Sequence, residues 1–398
     1  MLIVGISFAN FGPYHLARLR ALAEALDRLG GRLIAYETAG AQGLYPWRTP
    51  RESEPFQWVT LFPDRLLEDL STFLCEEATR SALDRDQPDV LLTSGYARPE
   101  CLAMLRWGLK RERPVVLMSE SQAIDHPRVW WKEAVKRRRV RRYSSALVGG
   151  PSHRDYLVSL GMPADRIALG YNAVDGPGLA LAASRFRQAP DGRRGLPTAP
   201  YFLAVSRFAP EKNLPGLVHA FARYREMSMV ERPWELVLCG GGPGEAEVER
   251  AVDETGTRDW VHRPGFLQAD ELTRWYAFAS AFVHPSLLEP WGLVVNEAAS
   301  CGLPLLVSDR AGCAETFVSG DGPSTGFQMD GRDVEGMATA LRGVSELSEP
   351  DRRALGRNAA AIAAEWGPSR FAQGAIEAIR TARDAGPVRG VRRLAIVR

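Results

Sequence analysis

Tyr201-Phe202-Leu203-Ala204-Val205-Ser206, followed by Arg207-Phe208-Ala209-Pro210-Glu211-Lys212-Asn213, is the stretch that decides the fold. A short apolar run, a loop with proline and charge, and a breaker-free stretch to about Glu226 read as strand, loop and helix. The start of the chain repeats this order. Met1 to Phe8 is apolar, Ala9 to Tyr14 is a Gly/Pro loop, and His15 to Leu29 has a helical pattern. Each copy is the opening βα unit of a parallel sheet. Further short apolar runs lie at residues 32–36, 90–93, 115–118 and 146–148 in the first half, and at 235–239, 260–262, 281–284 and 304–308 in the second. Such runs alternating with helices predict an α/β chain of two doubly wound, Rossmann-like domains.

The length of 398 residues supports two such cores, and 45% hydrophobic with 25% charged residues is the balance of a soluble globular protein. No apolar stretch approaches the roughly 20 residues that span a bilayer, and the first residues lack the basic start of a secretory signal. Cys75, Cys101, Cys239, Cys301 and Cys313 are scattered without a CxxC spacing, which argues for reduced thiols in a cytoplasmic protein. The six histidines are equally dispersed, so no metal site is expected.

A turn-rich segment at 171–178 suits a linker, and the Pro-, Gly- and Arg-rich segment 188–199 is expected to be a mobile loop beside it. The basic tail from Arg389 is expected to fray. The domains are therefore placed at 1–172, with about 368–398 returning to it, and at 173–367. Two such domains facing each other would hold a ligand in the cleft at the strand C-terminal ends.

Between Ser286 and Gly302 the chain reads Ser-Leu-Leu-Glu-Pro-Trp-Gly-Leu-Val-Val-Asn-Glu-Ala-Ala-Ser-Cys-Gly. Glu289 and Glu297 stand seven residues apart across a loop-to-helix junction. Pro290 suits the turn, Gly292 lets the backbone come close to a ligand, and Cys301-Gly302-Leu303-Pro304 stops the helix. Alone, the two acids would suit a surface helix with one solvated Glu. The strand ahead of them, the glycine and the helix stop favour a site where carboxylates take hydroxyls and a helix N-terminus takes phosphate.

Arg207 and Lys212, five apart at a strand-to-helix turn, can both reach one pyrophosphate, Arg as a planar fork and Lys as a point charge. By themselves they would read as solvated cations. In a nucleotide cleft that also contains Glu289, the two features support each other. Cys239-Gly-Gly-Gly-Pro-Gly-Glu245, with Gly241 inside it, follows another strand but does not fit GxGxxG, so a tight turn explains it equally well. Pro264-Gly265-Phe266 could present backbone groups to a base, and Gly12 could let the first loop approach a phosphate.

Taken together these segments resemble the retaining, GT-B-fold glycosyltransferases of family 4 (glycosyl transferases group 1). The resemblance is best from about Tyr201 to Thr316 and mainly architectural in the first half. It implies that Glu297 hydrogen-bonds the ribose of a nucleotide-diphosphate sugar, UDP or GDP being the expected nucleotide, and that Glu289 contacts the donor sugar. Trp291 and the backbone at Gly292, Leu293 and Val294 would touch sugar or phosphate, with the base near Phe266. Arg207 and Lys212 would stabilise the leaving diphosphate, a form of electrostatic catalysis that can replace a divalent metal. No other cofactor is implied. The acceptor would be a carbohydrate or glycolipid.

Two departures stand out. Many relatives carry a His shortly after the strand at 115–118, where this chain has Glu120; a carboxylate there could orient the acceptor hydroxyl, accept its proton or stabilise an oxocarbenium-like centre. Asp125, His126 and His15 remain acceptor-side candidates. Gly312-Cys313 stands where relatives often show two glycines. The tract Lys132-Glu-Ala-Val-Lys-Arg-Arg-Arg-Val-Arg-Arg142, just after Trp130 and Trp131, carries seven positive residues in eleven. Anionic lipid at the inner membrane face, nucleic acid or an acidic acceptor could each bind it, as could solvent alone; nucleic acid is the weakest option because no recognisable module surrounds it. The alternatives to a transferase are a disaccharide synthase or phosphorylase on the same fold, or a non-enzymatic protein that binds sugar nucleotides or nucleic acid.

Overall fold

The computed structural model describes residues 1–43, 46, 47, 49, 51–320 and 322–388. It divides into two units, Met1–Asn172 with the chain from Pro368, and Ala173–Gly367. In chain order the first contains β1 (Leu2–Phe8), α1 (Pro13–Asp27), β2 (Gly31–Ala41), β3 (Gln57–Leu66), α2 (Thr72–Asp86), β4 (Val90–Ser94), α3 (Pro99–Lys110), β5 (Val115–Ser119), α4 (Trp130–Val140), β6 (Ser145–Val148), α5 (Pro151–Ser159) and β7 (Ile167–Leu169). The second contains α6 (Gly176–Gln188), β8 (Tyr201–Val205), α7 (Leu214–Met227), β9 (Glu235–Cys239), α8 (Glu245–Thr255), β10 (Val261–Gly265), α9 (Ala269–Phe278), β11 (Ala281–His284), α10 (Leu293–Ser300), β12 (Leu305–Ser308), α11 (Ala314–Phe317), β13 (Gly326–Met329), α12 (Val334–Glu346) and α13 (Glu349–Ala364). The last helix, α14 (Pro368–Ala385), belongs to the first unit.

Both sheets are parallel throughout, in the orders β3-β2-β1-β4-β5-β6-β7 and β10-β9-β8-β11-β12-β13. These are doubly wound orders that reverse direction between β1 and β4 and between β8 and β11. The central strands are buried on both faces, as the continuous apolar runs require. In the second unit the core is split by the sheet: Tyr201, Leu203, Trp291 and Val295 pack on one side, Phe202, Phe221, Leu236 and Val283 on the other. The chain returns to the first unit through α14, where Ser145 Oγ donates to the Ala378 carbonyl at 2.7 Å and Ser144 Oγ to that of Gly386 at 2.9 Å.

The two-domain α/β expectation therefore holds, with local corrections. Trp260 lies in a 3-10 turn ahead of β10, not in the strand. The segment expected to be a mobile loop is fastened: Arg274 Nε donates to the Gly192 carbonyl at 2.6 Å and Leu196 is buried. Three strands escaped the sequence reading, β3, β7 and β13, and all are edge strands. An edge strand needs no continuous apolar run, and β3 even tolerates Pro63 because only one side of its ladder is paired. The basic tail from Arg389 lies outside the described residues.

Candidate active site

The loops that leave β8 and β11 flank the reversal point of the second sheet, because these two strands are hydrogen-bonded neighbours while their successors lie on opposite sides. This is where an open α/β sheet offers a crevice. The first loop contains a 3-10 turn, Pro210–Lys212, and then Asn213 at φ +53°, whose Nδ2 donates to the Gly331 carbonyl at 2.5 Å. The second runs from Pro285 to Gly292. Leu287 N donates to the Glu211 carbonyl at 2.8 Å, which joins the two loops directly.

Their side chains meet at Glu289. Lys212 Nζ donates to Glu289 Oε2 at 2.5 Å, and the two side chains are only 11% and 13% exposed. His284 Nε2 lies 3.1 Å from the same oxygen and 3.2 Å from Ser286 Oγ. Burial alone would raise the Glu289 carboxyl, but hydrogen bonding and charge from His284 and then Lys212 outweigh it and hold the group at about 2. It is a fixed anion beside a fixed cation. Its backbone is equally held: the Gly312 N–H donates to the Glu289 carbonyl at 3.0 Å, and Cys313 N to that of Trp291 at 3.1 Å. Arg207, in the same loop, pairs with Glu211 at 3.1 Å.

Gly292 opens α10 at φ +101°, a conformation that favours glycine. A methyl there would stand 3.3 Å from both Glu289 Cγ and His284 Nε2 and 3.4 Å from Cys313 Sγ, so glycine is needed for space as well. The N–H groups of Leu293 and Val294 lie in the first turn, where a helix has no internal partners for its amides. Cys313 is fully buried, and burial pushes its thiol well above the usual range. It fills space behind the junction.

Glu297, in the second turn of α10, is 5% exposed and far from the solvated Glu that a surface helix would carry. Tyr276 of α9 donates its hydroxyl to Glu297 Oε2 at 2.8 Å. Trp291 points inward, packs on Trp366 with ring centroids 4.8 Å apart, and donates Nε1 to Asn296 Oδ1 at 2.9 Å. Any donor contact at Trp291 is thus left to its backbone, because the indole belongs to the core. His284, Tyr276 and Asn296 were missed as site residues. His284 was legible only as the polar end of an apolar run, and Tyr276 fits the apolar stripe of its helix.

The glycine-rich loop is a tight turn. Gly240 and Gly242 have φ +131° and +147°, and a methyl on Gly240 would collide with the Ser206 carbonyl. Phe208 N donates to the Gly241 carbonyl and Gly244 N to that of Phe208, each at 2.8 Å, so this loop braces the Arg207 loop. Gly241 thereby contributes its carbonyl to the brace. Phe266 follows β10 and is exposed.

In the first unit, Gly12 caps α1 and gives its N–H to His15 Nδ1 at 3.0 Å. Burial, and then the Arg18 charge, lower the His15 imidazole to about 3, so it is neutral. The same Gly-Pro-x-His cap recurs at α5, where Gly150 N donates to His153 Nδ1 at 3.2 Å. Both candidates therefore share a capping interaction at the end of β1. Glu37 fixes the preceding loop by accepting from Phe11 N at 2.8 Å and Asn10 Nδ2 at 3.3 Å. Glu120 follows β5, half-buried, within electrostatic reach of the buried Arg18 and of Tyr171. Asp125 turns back on its own loop, its Oδ2 accepting from Gln122 N at 2.8 Å, and burial raises its carboxyl. His126 is exposed. Among the described residues no group of three or more His, Cys, Asp or Glu could hold a metal ion.

Two Rossmann-like units with the last helix returning to the first make the GT-B fold. Over 97% of this chain and 100% of its own, sucrose-phosphate synthase from Thermosynechococcus elongatus superposes with a TM-score of 0.73 at 19% identity. Anabaena HepE in complex with UDP and glucose gives 0.69 at 18% identity, over 95% and 99% of the two chains. Residues 191–361, most of the second unit, match the family described as Glycosyl transferases group 1. The chain is 30% identical over 183 residues (43% of this chain, 46% of the relative) to a GDP-mannose-dependent alpha-(1-6)-phosphatidylinositol monomannoside mannosyltransferase of Mycolicibacterium smegmatis. It is 30% identical over 240 residues (58% and 56%) to a D-inositol 3-phosphate glycosyltransferase of Paenarthrobacter aurescens. The chain thus spans about half the length of the curated relatives it matches.

Proposed function

We propose that this protein is a glycosyltransferase that moves a sugar from a nucleotide-diphosphate sugar to a hydroxyl of a carbohydrate or glycolipid acceptor. The observation that carries the reading is the Lys212–Glu289 pair at the sheet's reversal point, beside the open N-terminus of α10. A cation and amide donors in one place suit the charged non-bridging oxygens of such a donor's diphosphate, and the charged carboxylate beside them suits its sugar hydroxyls. The group 1 segment at residues 191–361 supports the same reading.

In this account Glu297 takes the ribose hydroxyls, and Tyr276 holds its carboxylate in place. Glu289 takes donor-sugar hydroxyls, and Phe266 lies against the base. As the bond from the anomeric carbon to the diphosphate breaks, Lys212, Arg207 and the first amides of α10 stabilise the leaving negative charge. No metal is required for that step. The acceptor oxygen bonds to the anomeric carbon, and Glu120 orients its hydroxyl and receives the proton. Configuration is retained. The setting is the cytoplasm. Incubation with a panel of UDP- and GDP-sugars, with product detected by mass spectrometry, tests the function. Release of nucleotide diphosphate from at least one donor is expected, and inertness towards all of them would overturn the proposal.

A further inference from the structure

The basic helix α4 has two unlike faces. Glu133, Lys136 and Val140, spaced three and four apart, turn inward. There the Tyr156 hydroxyl donates to Glu133 Oε2 at 2.9 Å and accepts from Lys136 Nζ at 3.0 Å and Arg128 NH1 at 2.7 Å. Arg139 reaches the Tyr96 carbonyl at 3.4 Å. These cations work inside the unit, and Glu133, the helix's only acid, is consumed with them.

The opposite face is different. Trp130 is 83% and Trp131 52% exposed, and Val135 follows one turn later. Lys132 sits 5.5 Å from the Trp131 ring centroid. Arg138 is exposed and has no ion-pair partner among the described residues, and Arg137 makes only a long exposed bond to the Ser159 carbonyl. Aromatic surface this exposed is unfavourable in water, and the positive charge around it, with no acid on the same face, is left open to an anionic partner. It is the arrangement of a helix that lies in a lipid headgroup layer, rings at the acyl boundary and cations among phosphates. A nucleic acid would match the charge, but Trp130, Trp131 and Val135 add an apolar edge to the same helix, which a headgroup layer accommodates at its acyl boundary.

We propose that the outer face of α4, built from Trp130, Trp131, Lys132, Val135 and Arg138, docks the protein on an anionic lipid surface. The inference rests on the transferase reading only for its purpose, which is to bring the enzyme to a surface-presented acceptor. The test is co-sedimentation of the full chain with vesicles of equal parts phosphatidylcholine and phosphatidylglycerol, against phosphatidylcholine alone. Binding should need the anionic lipid and be released as ionic strength rises from about 0.1 to 0.5 M. Arg138→Glu, and separately the double variant Trp130→Ala/Trp131→Ala, should each weaken it on the order of ten-fold. Both variants should keep wild-type helicity and nucleotide-diphosphate affinity. Equal binding to the two vesicle types, or variants that bind like wild type, would overturn the proposal. So would a single-stranded oligonucleotide bound more tightly than vesicles, or a dimer that the Trp double variant dissociates. Donor turnover measured in the same preparations separates the two claims: vesicle binding can fail with turnover intact, and the reverse.

Discussion

Replacing Glu289 by Gln keeps the shape of the side chain and removes its charge. In the folded chain this carboxyl sits at about 2, against an ordinary 4.5. That gap corresponds to a preference of about 3 kcal/mol for the charged form when folded. The sign follows from the direction of the shift. A carboxyl held low contributes its stability above its unfolded value and loses it as pH falls through its folded one. At pH 7 the wild type should therefore exceed Glu289→Gln by about 3 kcal/mol, and at pH 3 by between about 1 and 2 kcal/mol. Urea unfolding followed by circular dichroism at the two pH values measures both gaps. A gap of the same size at pH 3 and pH 7 would refute the reasoning, because it would trace the loss to packing and not to charge. Lys212→Met leaves the His284 contribution in place, so it should cost less than Glu289→Gln.

Other substitutions probe the remaining parts. Glu297→Ala should weaken binding of plain nucleotide diphosphate, whereas Glu289→Ala should mainly harm donors that carry the sugar; calorimetry with UDP or GDP and the matching sugar donor separates them, and equal loss of plain nucleotide binding contradicts those roles. Tyr276→Phe removes the donor at 2.8 Å to Glu297 and should cost about 1 kcal/mol in nucleotide affinity with turnover of bound donor nearly unchanged. Gly292→Ala forces a side chain to φ +101° and should destabilise the second unit by about 1–3 kcal/mol in a melting experiment. A disaccharide incubated with inorganic phosphate and no nucleotide should release no sugar phosphate, and release would favour a phosphorylase on this fold.

Much of this architecture was legible because parallel sheets bury their central strands on both faces. Runs such as Tyr201 to Val205 and Ala281 to His284 must then be apolar throughout, and the helix between Gly292 and Cys301 announces both its ends. The edge strands β3, β7 and β13 escaped because pairing on one side imposes a weaker pattern. At the site, Glu289, Glu297, Lys212 and Gly292 were readable from residue type and spacing. Their pairing was not, since a contact between Lys212 and Glu289 spans 77 residues and depends on β8 and β11 being neighbours. The roles of the glycine loop and Trp291 were unreadable for a related reason. One braces the Arg207 loop through backbone bonds and the other fills the core, and a sequence does not distinguish such tasks from ligand contact. The twin Gly-Pro-x-His caps went unread, because their meaning rests on the imidazole-to-amide bonds.

The central claim is that the Lys212–Glu289 junction receives the diphosphate and sugar of a nucleotide sugar. Titration calorimetry of the wild type and Lys212→Ala with UDP, GDP and their sugar conjugates tests it most directly. The account predicts that at least one nucleotide diphosphate binds the wild type and that Lys212→Ala weakens it at least ten-fold, the loss expected for a charge-assisted contact to phosphate worth about 1.5–3 kcal/mol. Wild-type binding that the variant leaves unchanged, or no nucleotide binding at all, would contradict it.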